Sequence, residues 1–249
     1  MPDSLDWLSA RPIAHRGLHN AAAGLIENTS GAVQAAIASG YGIEVDVQIS
    51  ADGEAMVHHD DVLGRLTEGD GRLDRLTADA LKRVAFRDSA ERMMTLGELC
   101  DLVAGRVTIL IEMKSRFDGD DRLPARVAKI LADYRGPAAP MSFDPLQVAM
   151  LRQKAPQVVR GIAAAKYRPH PYWDLMPAWM KYGMGYLITG VAAHAQFVAY
   201  SIADLPAPAP WLARRVLGLP LLTWTVRTQA ERQCAERWAD QMIFEGFRP

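Results

Sequence analysis

Gly42-Ile43-Glu44-Val45-Asp46-Val47-Gln48-Ile49 is the stretch that decides the fold. Ile43, Val45, Val47 and Ile49 alternate with Glu44, Asp46 and Gln48, the period of two that a β-strand imposes on its faces. The aliphatic face belongs against helices, and the polar face can line the mouth of a barrel. Residues i and i+2 project the same way, so Glu44 and Asp46 aim their carboxylates at one spot. Two like charges directed at one point call for a cation.

Working outward, residues 12–15 read as a short buried strand that ends at His15-Arg16-Gly17. Thr29 is placed to cap a helix, because Ala32, Val33, Ala36 and Ile37 recur at helical spacing before Ser39-Gly40 stops it. Downstream, Ala51-Asp52-Gly53-Glu54 is a turn, and residues 55–58 form a short strand leading to His59-Asp60. Residues 107–111 are a near-continuous β-branched and aliphatic run of the buried-parallel type, closed by Glu112-Met113-Lys114. Further strands are expected at 139–143, 158–163, 197–202, 221–226 and 241–245, and helices at 78–84, 96–103, 123–134, 146–153 and 179–195. Strands alternating with helices give a parallel sheet. Eight strands in 249 residues, close to the ~250 typical of such folds, favour an α/β protein of the (β/α)8 TIM-barrel type over an open doubly wound sheet. One domain is expected over 1–249. Residues 61–101 are too long for a simple βα connection and read as an excursion after the second strand, covering the active-site face.

Composition narrows the function classes. Hydrophobic residues at 49% and charged residues at 23% are the balance of an ordinary globular chain. A formal charge of -1 offers no field toward nucleic acid, so any anion site must be built locally. Cys100 and Cys234 form no CxxC pair and read as buried thiols. The N-terminal residues carry Asp3 and Asp6 where a secretory signal needs a basic and then an apolar segment, which leads to an expectation of a cytoplasmic protein. Residues 182–203 hold no formally charged side chain, yet three glycines with Thr189, His194, Gln196 and Ser201 suit a packed helix and strand better than a transmembrane segment. The Trp- and Met-rich residues 172–186 are where a transient lipid contact or an apolar substrate tail could sit.

The chemistry gathers at strand ends. Glu44, Asp46 and Glu112 supply three carboxylates if their strands are neighbours, and all-oxygen ligation suits a hard divalent cation, Mg2+ or Ca2+. His15 and His59 stand just beyond strands and suit general acid/base work, since histidine titrates near neutrality. His58, one residue out of phase, and His19, His170 and His194 read as structural. Arg16 and Lys114 are the candidate phosphate-binding cations. Glu27 and Asn28 either orient Arg16 and the ligand or serve as a plain helix cap. Trp224 either walls the substrate pocket or packs in the core.

Taken in order, His15-Arg16-Gly17, Glu27-Asn28-Thr29, Glu44-x-Asp46 with Asp52-Gly53, Val57-x-His59-Asp60, Ile111-Glu112-Met113-Lys114, Ser142-Phe143 and Trp224-Thr225-Val226 resemble the signature of glycerophosphodiester phosphodiesterases. The likeness runs from about residue 11 to 226. It implies a TIM barrel that hydrolyses a small-molecule phosphodiester to glycerol 3-phosphate and an alcohol. By that likeness the metal ligands fall on Glu44, Asp46 and Glu112, the acid/base pair on His15 and His59, and the phosphate contacts on Arg16 and Lys114. Three places depart from the pattern: Ser50 stands where Thr is usual, Arg227 where Asn is common, and Phe244-Glu245-Gly246 where a Thr-Asp pair is usual. Competing readings are a phospholipase-D-like activity on lysophospholipids and a non-catalytic phosphate-ligand module.

Overall fold

β2 (Gly42–Ile49) runs parallel to β4 (Ile109–Met113), with Ile43 opposite Ile109, Glu44 opposite Leu110 and Asp46 opposite Glu112. The structure is a computed structural model and describes residues 5–87, 89–170 and 173–249. From β4 the sheet continues through β5 (Ala138–Ser142), β6 (Gly161–Ala164), β7 (Phe197–Ser201), β8 (Leu221–Val226) and β9 (Gln241–Phe244) to β1 (Ile13–Ala14), which returns to β2. All these pairings are parallel, so eight strands close into a barrel. β3 (Ala55–Val57) is the short exception, folded back antiparallel on the end of β2 across the Asp52-Gly53 turn. Closure leaves the barrel strands without free edges.

The two faces of β2 separate as the alternation requires. Ile43, Val45 and Val47 pack outward against Val33 and Ala36 of α1 (Ser30–Ala38) and Leu96 and Leu99 of α3 (Leu96–Val103). The barrel interior is filled by Ile13, Leu110, Met141, Phe197, Leu222 and Ile243, with Leu8 from the N-terminal turn among them. Phe197 needs a glycine opposite: a Cβ on Gly161 would lie 2.3 Å from the ring. This apolar interior ends where Glu44, Asp46 and Glu112 begin, at the C-terminal ends of the strands, the end of such barrels that carries active sites.

Helix starts follow local chemistry. Thr95 with Glu98 opens α3, and Thr228 with Glu231 opens α9 (Gln229–Trp238), each as a reciprocal capping box. Asp144 accepts from the Leu146 amide at the head of α5 (Pro145–Lys154), whose first residue is proline. α4 (Arg122–Asp133) lies close to the span expected from its periodicity. Thr29 does occupy the cap position of α1, but its hydroxyl donates to the Ile26 carbonyl at 2.7 Å instead of capping.

Three expectations need correction. The helix expected over 179–195 is two short ones, α6 (Ala178–Met184) and α7 (Ile188–Ala192), because Gly185 ends the first and Leu187 adopts a left-handed φ of 59°. α8 (Pro208–Arg215) and α9 were not expected: prolines open the one, and the other buries only Ala235 fully, leaving little apolar periodicity. Cys234 is only half-buried, while Cys100 is 5% exposed; both thiols are free.

The excursion is built on its own apolar cluster of Leu63, Leu73, Leu81, Phe86 and Met93, packed with Ile26 and Met56. α2 (Ala78–Arg83) is its one regular helix among the described residues. α3, at the end of the expected 61–101 span, belongs to the helical shell and packs on α1 and β3. Among the described residues no helix is long and apolar enough to cross a membrane. Tyr172, within the stretch considered for lipid contact, lies outside the described residues, while Trp179, Tyr182 and Tyr186 are exposed.

Candidate active site

Strand register brings the carboxylates together. Asp46 and Glu112 are opposite one another on β2 and β4, and Glu44 lies one pleat below Asp46 on the same face. One oxygen from each of Glu44, Asp46 and Glu112 lies within 4.8 Å of the others. All three are buried, at 1%, 1% and 9% exposure, so their charges must be met by the protein or by a cation.

Two cations answer part of that demand. Lys114 Nζ bridges Asp46 Oδ1 at 2.8 Å and Glu112 Oε1 at 2.5 Å. Arg16 reaches Asp46 Oδ2 at 3.2 Å through Nε and Glu27 Oε1 at 2.8 Å through Nη1, while its backbone N–H donates to Glu44 Oε2 at 3.0 Å. That geometry depends on the turn after β1. Arg16 has a left-handed φ of 55°, and Gly17 follows at 81° with its α-carbon against Ala32, where a Cβ would come within 2.9 Å of that residue. The turn therefore requires glycine at 17.

Asn28 brackets Asp46 from the side. Its Nδ2 donates to Asp46 Oδ2 at 2.9 Å, and its Oδ1 accepts the Asp46 amide at 3.2 Å. Glu27 is shared by Arg16 and Arg65, and Arg65 also grips Asp60 at 2.6 Å, which ties the excursion to the mouth. Asn28 is thus bonded to Asp46 and Glu27 to Arg16, while the cap position of α1 is Thr29.

The electrostatics separate the carboxylates. Burial, then the charges of Asp46 and Glu112, push Glu44 well above the usual carboxylate range. Burial would raise Asp46 as well, but Lys114, His59 and Arg16 outweigh it and hold Asp46 far below that range. Among the described residues, Glu44 Oε1 is buried without a hydrogen-bond partner. An orphaned carboxylate oxygen beside two further carboxylates is a fit for a hard divalent cation, whose charge would favour the ionised form of Glu44.

The two histidines are held by acids. His15 Nδ1 lies 2.6 Å from Glu245 Oε2, and its Nε2 faces Glu44 Oε2 at 3.9 Å. Burial keeps His15 below its ordinary value despite the Glu245 hydrogen bond. His59 Nδ1 lies 2.7 Å from Asp60 Oδ1, and the Asp60 carboxyl is held low by His59 and Arg65 against the effect of burial. His58 turns the other way and is buried with its ring 6.4 Å from that of Phe86. Trp224 is packed and half-buried: Nε1 donates to Ala199 O at 2.9 Å, and the ring meets Phe143 edge-on at 5.4 Å. Phe143 in turn meets Trp173 at 5.0 Å, which makes one wall aromatic. On the other side a cavity of about 660 Å³ opens beside Lys114, lined by Gln48, Asp61, Arg72, Asp74, Arg116 and Arg122 among others.

Three carboxylates, the buried Lys114, the half-buried Arg16 and two acid-backed histidines on one barrel mouth suit displacement at a phosphodiester, and the comparisons agree. The model of the glycerophosphoryl diester phosphodiesterase family matches residues 15–246. The chain belongs to that family. Glycerophosphodiester phosphodiesterase 1 of Rattus norvegicus is 24% identical over 255 residues, covering 90% of this chain and 74% of the relative. A glycerophosphodiester phosphodiesterase of Caldanaerobacter subterraneus subsp. tengcongensis is 29% identical over 160 residues, covering 60% and 65%. An Oleispira antarctica phosphodiesterase, solved in complex with the product sn-glycerol-3-phosphate, superposes with a TM-score of 0.75 at 19% identity, covering 96% of this chain and 94% of that one. The protein is thus a phosphodiesterase built on a closed barrel.

The sequence singled out the three carboxylates and two cations, with Glu27 and Asn28 beside them, but not Arg65 or Glu245 as their neighbours. Arg65 lies in the excursion, where no periodicity marks it. Glu245 was noted only as a departure from pattern, although its place just past the end of β9 was a signal of the same kind that flagged His15.

Proposed function

We propose that the protein hydrolyses glycerophosphodiesters to glycerol 3-phosphate and an alcohol at the mouth formed by β1, β2 and β4. The observation that carries this reading is the meeting of Glu44, Asp46 and Glu112 within 4.8 Å, beside Arg16 and Lys114. Glu44, Asp46 and Glu112 would hold a divalent cation, Mg2+ or Ca2+, which when bound neutralises negative charge on the phosphate during displacement. Arg16 and Lys114 take the non-bridging oxygens, Arg16 through its fork and Lys114 as a point charge. Of His15 and His59, one accepts the proton of the attacking hydroxyl, from water or from the glycerol moiety, and in the latter case water then opens the cyclic phosphate to give glycerol 3-phosphate. The other donates a proton to the alcohol oxygen as its bond to phosphorus breaks. Trp224 borders the substrate opposite the polar cavity.

That polar cavity favours a small, polar alcohol. The apolar cavity of about 720 Å³ lies elsewhere, lined by residues of α7 and α8 such as Ile188, Val191 and Leu212 and by none of the candidate site residues. An acyl tail placed in that cavity would lie away from the carboxylates. Hydrolysis of glycerophosphocholine and glycerophosphoethanolamine, with Mg2+, Ca2+ or EDTA, tests the reading. Turnover is expected with metal and lost in EDTA; full activity in EDTA would remove the metal from it. His15→Ala and His59→Ala are each expected to lower kcat by about 10²-fold or more. A rate on long-chain lysophosphatidylcholine exceeding that on glycerophosphocholine would favour the lipid substrate instead.

A further inference from the structure

We propose that Glu245, clamped by Arg227, is a positioning residue for His15: it fixes the ring so that Nε2 alone faces the carboxylate cluster. This rests on the acid/base role proposed for His15. The backbone fixes both residues first. Ala14 of β1 pairs with Phe244 of β9, and His15 and Glu245 are the next residues on each chain. The His15 amide donates to Phe244 O at 2.9 Å and the Glu245 amide to Val226 O at 2.9 Å, so neither Cα is free to drift. The side chains then close on one another at 2.6 Å between Nδ1 and Oε2.

The far side of the carboxylate is occupied as well. Arg227 Nε donates to Glu245 Oε1 and Nη2 to Oε2, each at 3.1 Å, the two-point grip that a guanidinium makes on a carboxylate. His19 Nε2 stands 3.9 Å from Oε2, beyond hydrogen-bond reach. Arg227 and Glu245 are two of the three places at which the chain departs from the pattern it resembles, and the fold joins them. An arginine at 227 gives a carboxylate at 245 its counter-charge, and each departure makes sense of the other.

The chemistry of the contact assigns the proton. The His15 hydrogen bond first, with the Arg227 hydrogen bonds adding to it, holds Glu245 well below the usual carboxylate range, so its oxygens only accept. The proton of neutral His15 must then sit on Nδ1, which leaves the Nε2 lone pair directed at the mouth. A metal shared by His15, His19 and Glu245 is the competing use of these groups, since they lie within 4.8 Å of one another. Two ligands about one zinc ion stand roughly 3.3 Å apart, however. The 2.6 Å contact is a hydrogen bond.

The test uses the full chain, its E245A, E245Q and R227A variants, glycerophosphoethanolamine with Mg2+, and nitrogen-15 NMR of the histidine rings. E245A is expected to lower kcat at least tenfold with KM within about twofold, and to replace the single Nδ1–H tautomer of His15 with a mixture. E245Q keeps an acceptor in the same place and should retain the tautomer and recover part of kcat; R227A should fall between parent and E245A. Because the tautomer is read without turnover, it decides the His15–Glu245 contact even if no glycerophosphodiester is hydrolysed, which would instead overturn the proposed function. Should E245A fail to fold, E245Q and R227A carry the same comparison. An unchanged tautomer in E245A, a kcat within twofold of parent, or a loss confined to KM would each overturn the proposal. So would a stoichiometric metal ion that survives substitution of Glu44, Asp46 and Glu112 and disappears in E245A.

Discussion

Replacing Asn28 with alanine removes the two hydrogen bonds that its side chain makes to Asp46. The lost Nδ2 contact at 2.9 Å is made to a buried carboxylate, a class of bond that contributes about 1.5–3 kcal/mol. The Asp46 amide, now 3.2 Å from Asn28 Oδ1, is left without that acceptor in a residue 1% exposed, which costs about 1–3 kcal/mol. Alanine must also hold a φ of 58°, where asparagine is tolerated and alanine costs about 1 kcal/mol more. These contributions share one site and do not simply add, so a loss of about 3–5 kcal/mol is expected. For a chain of this size, that is a fall in Tm of roughly 6–20 °C. Asn28→Gly relieves the backbone but not the lost bonds, and should sit about 1 kcal/mol above Asn28→Ala. On the proposed metal reading, Ca2+ affinity measured by calorimetry should also weaken about 10- to 100-fold in both variants, since Asp46 would no longer be held in place. A Tm within about 2 °C of parent together with unchanged Ca2+ affinity would refute the reasoning.

Gly17→Ala should destabilise through two costs at once, a φ of 81° and a Cβ 2.9 Å from Ala32, for a total of about 2–5 kcal/mol seen in thermal unfolding. Stability should fall as pH drops below 6.5: burial holds His58 below that ordinary value, so the unfolded chain takes up the proton that the folded chain resists. His58→Leu should flatten the slope between about pH 6.5 and 5 by at most about 1.4 kcal/mol per pH unit, measured by urea unfolding across that range. Arg65→Ala should cost under about 1 kcal/mol, because Asp60 keeps His59 and Glu27 keeps Arg16, and because a half-exposed guanidinium is screened. Its effect on kcat/KM should stay below about tenfold, which the same hydrolysis assay checks.

The sequence was legible where one element decides its own geometry. In β2 a period of two put Ile43, Val45 and Val47 on one face and Glu44 and Asp46 on the other, and the structure keeps that division. The apolar run before Glu112 could only be a buried strand, and its neighbour followed from chain order. Legibility failed where a helix hides little apolar surface, as in α9, and where two left-handed or flexible residues interrupt a helical pattern, as at Gly185 and Leu187. It failed also for Cys234, whose burial depends on how α9 sits on the barrel and not on its own neighbours in sequence.

The candidate site divides along the same line. Local spacing determined which residues stand at strand ends, because side-chain direction on a strand is a matter of i and i+2 alone. Barrel closure decided who meets whom. His15 and Glu245 are 230 positions apart and are brought to 2.6 Å by the pairing of β1 with β9. Arg227 and Glu245, separate oddities in the linear chain, become an ion pair because β8 and β9 lie side by side. The sequence thus determined the barrel and the carboxylates that β2 and β4 present. Only the tertiary structure decided the charge and hydrogen-bond partners that orient them, since those contacts depend on distances across strands that no local pattern encodes.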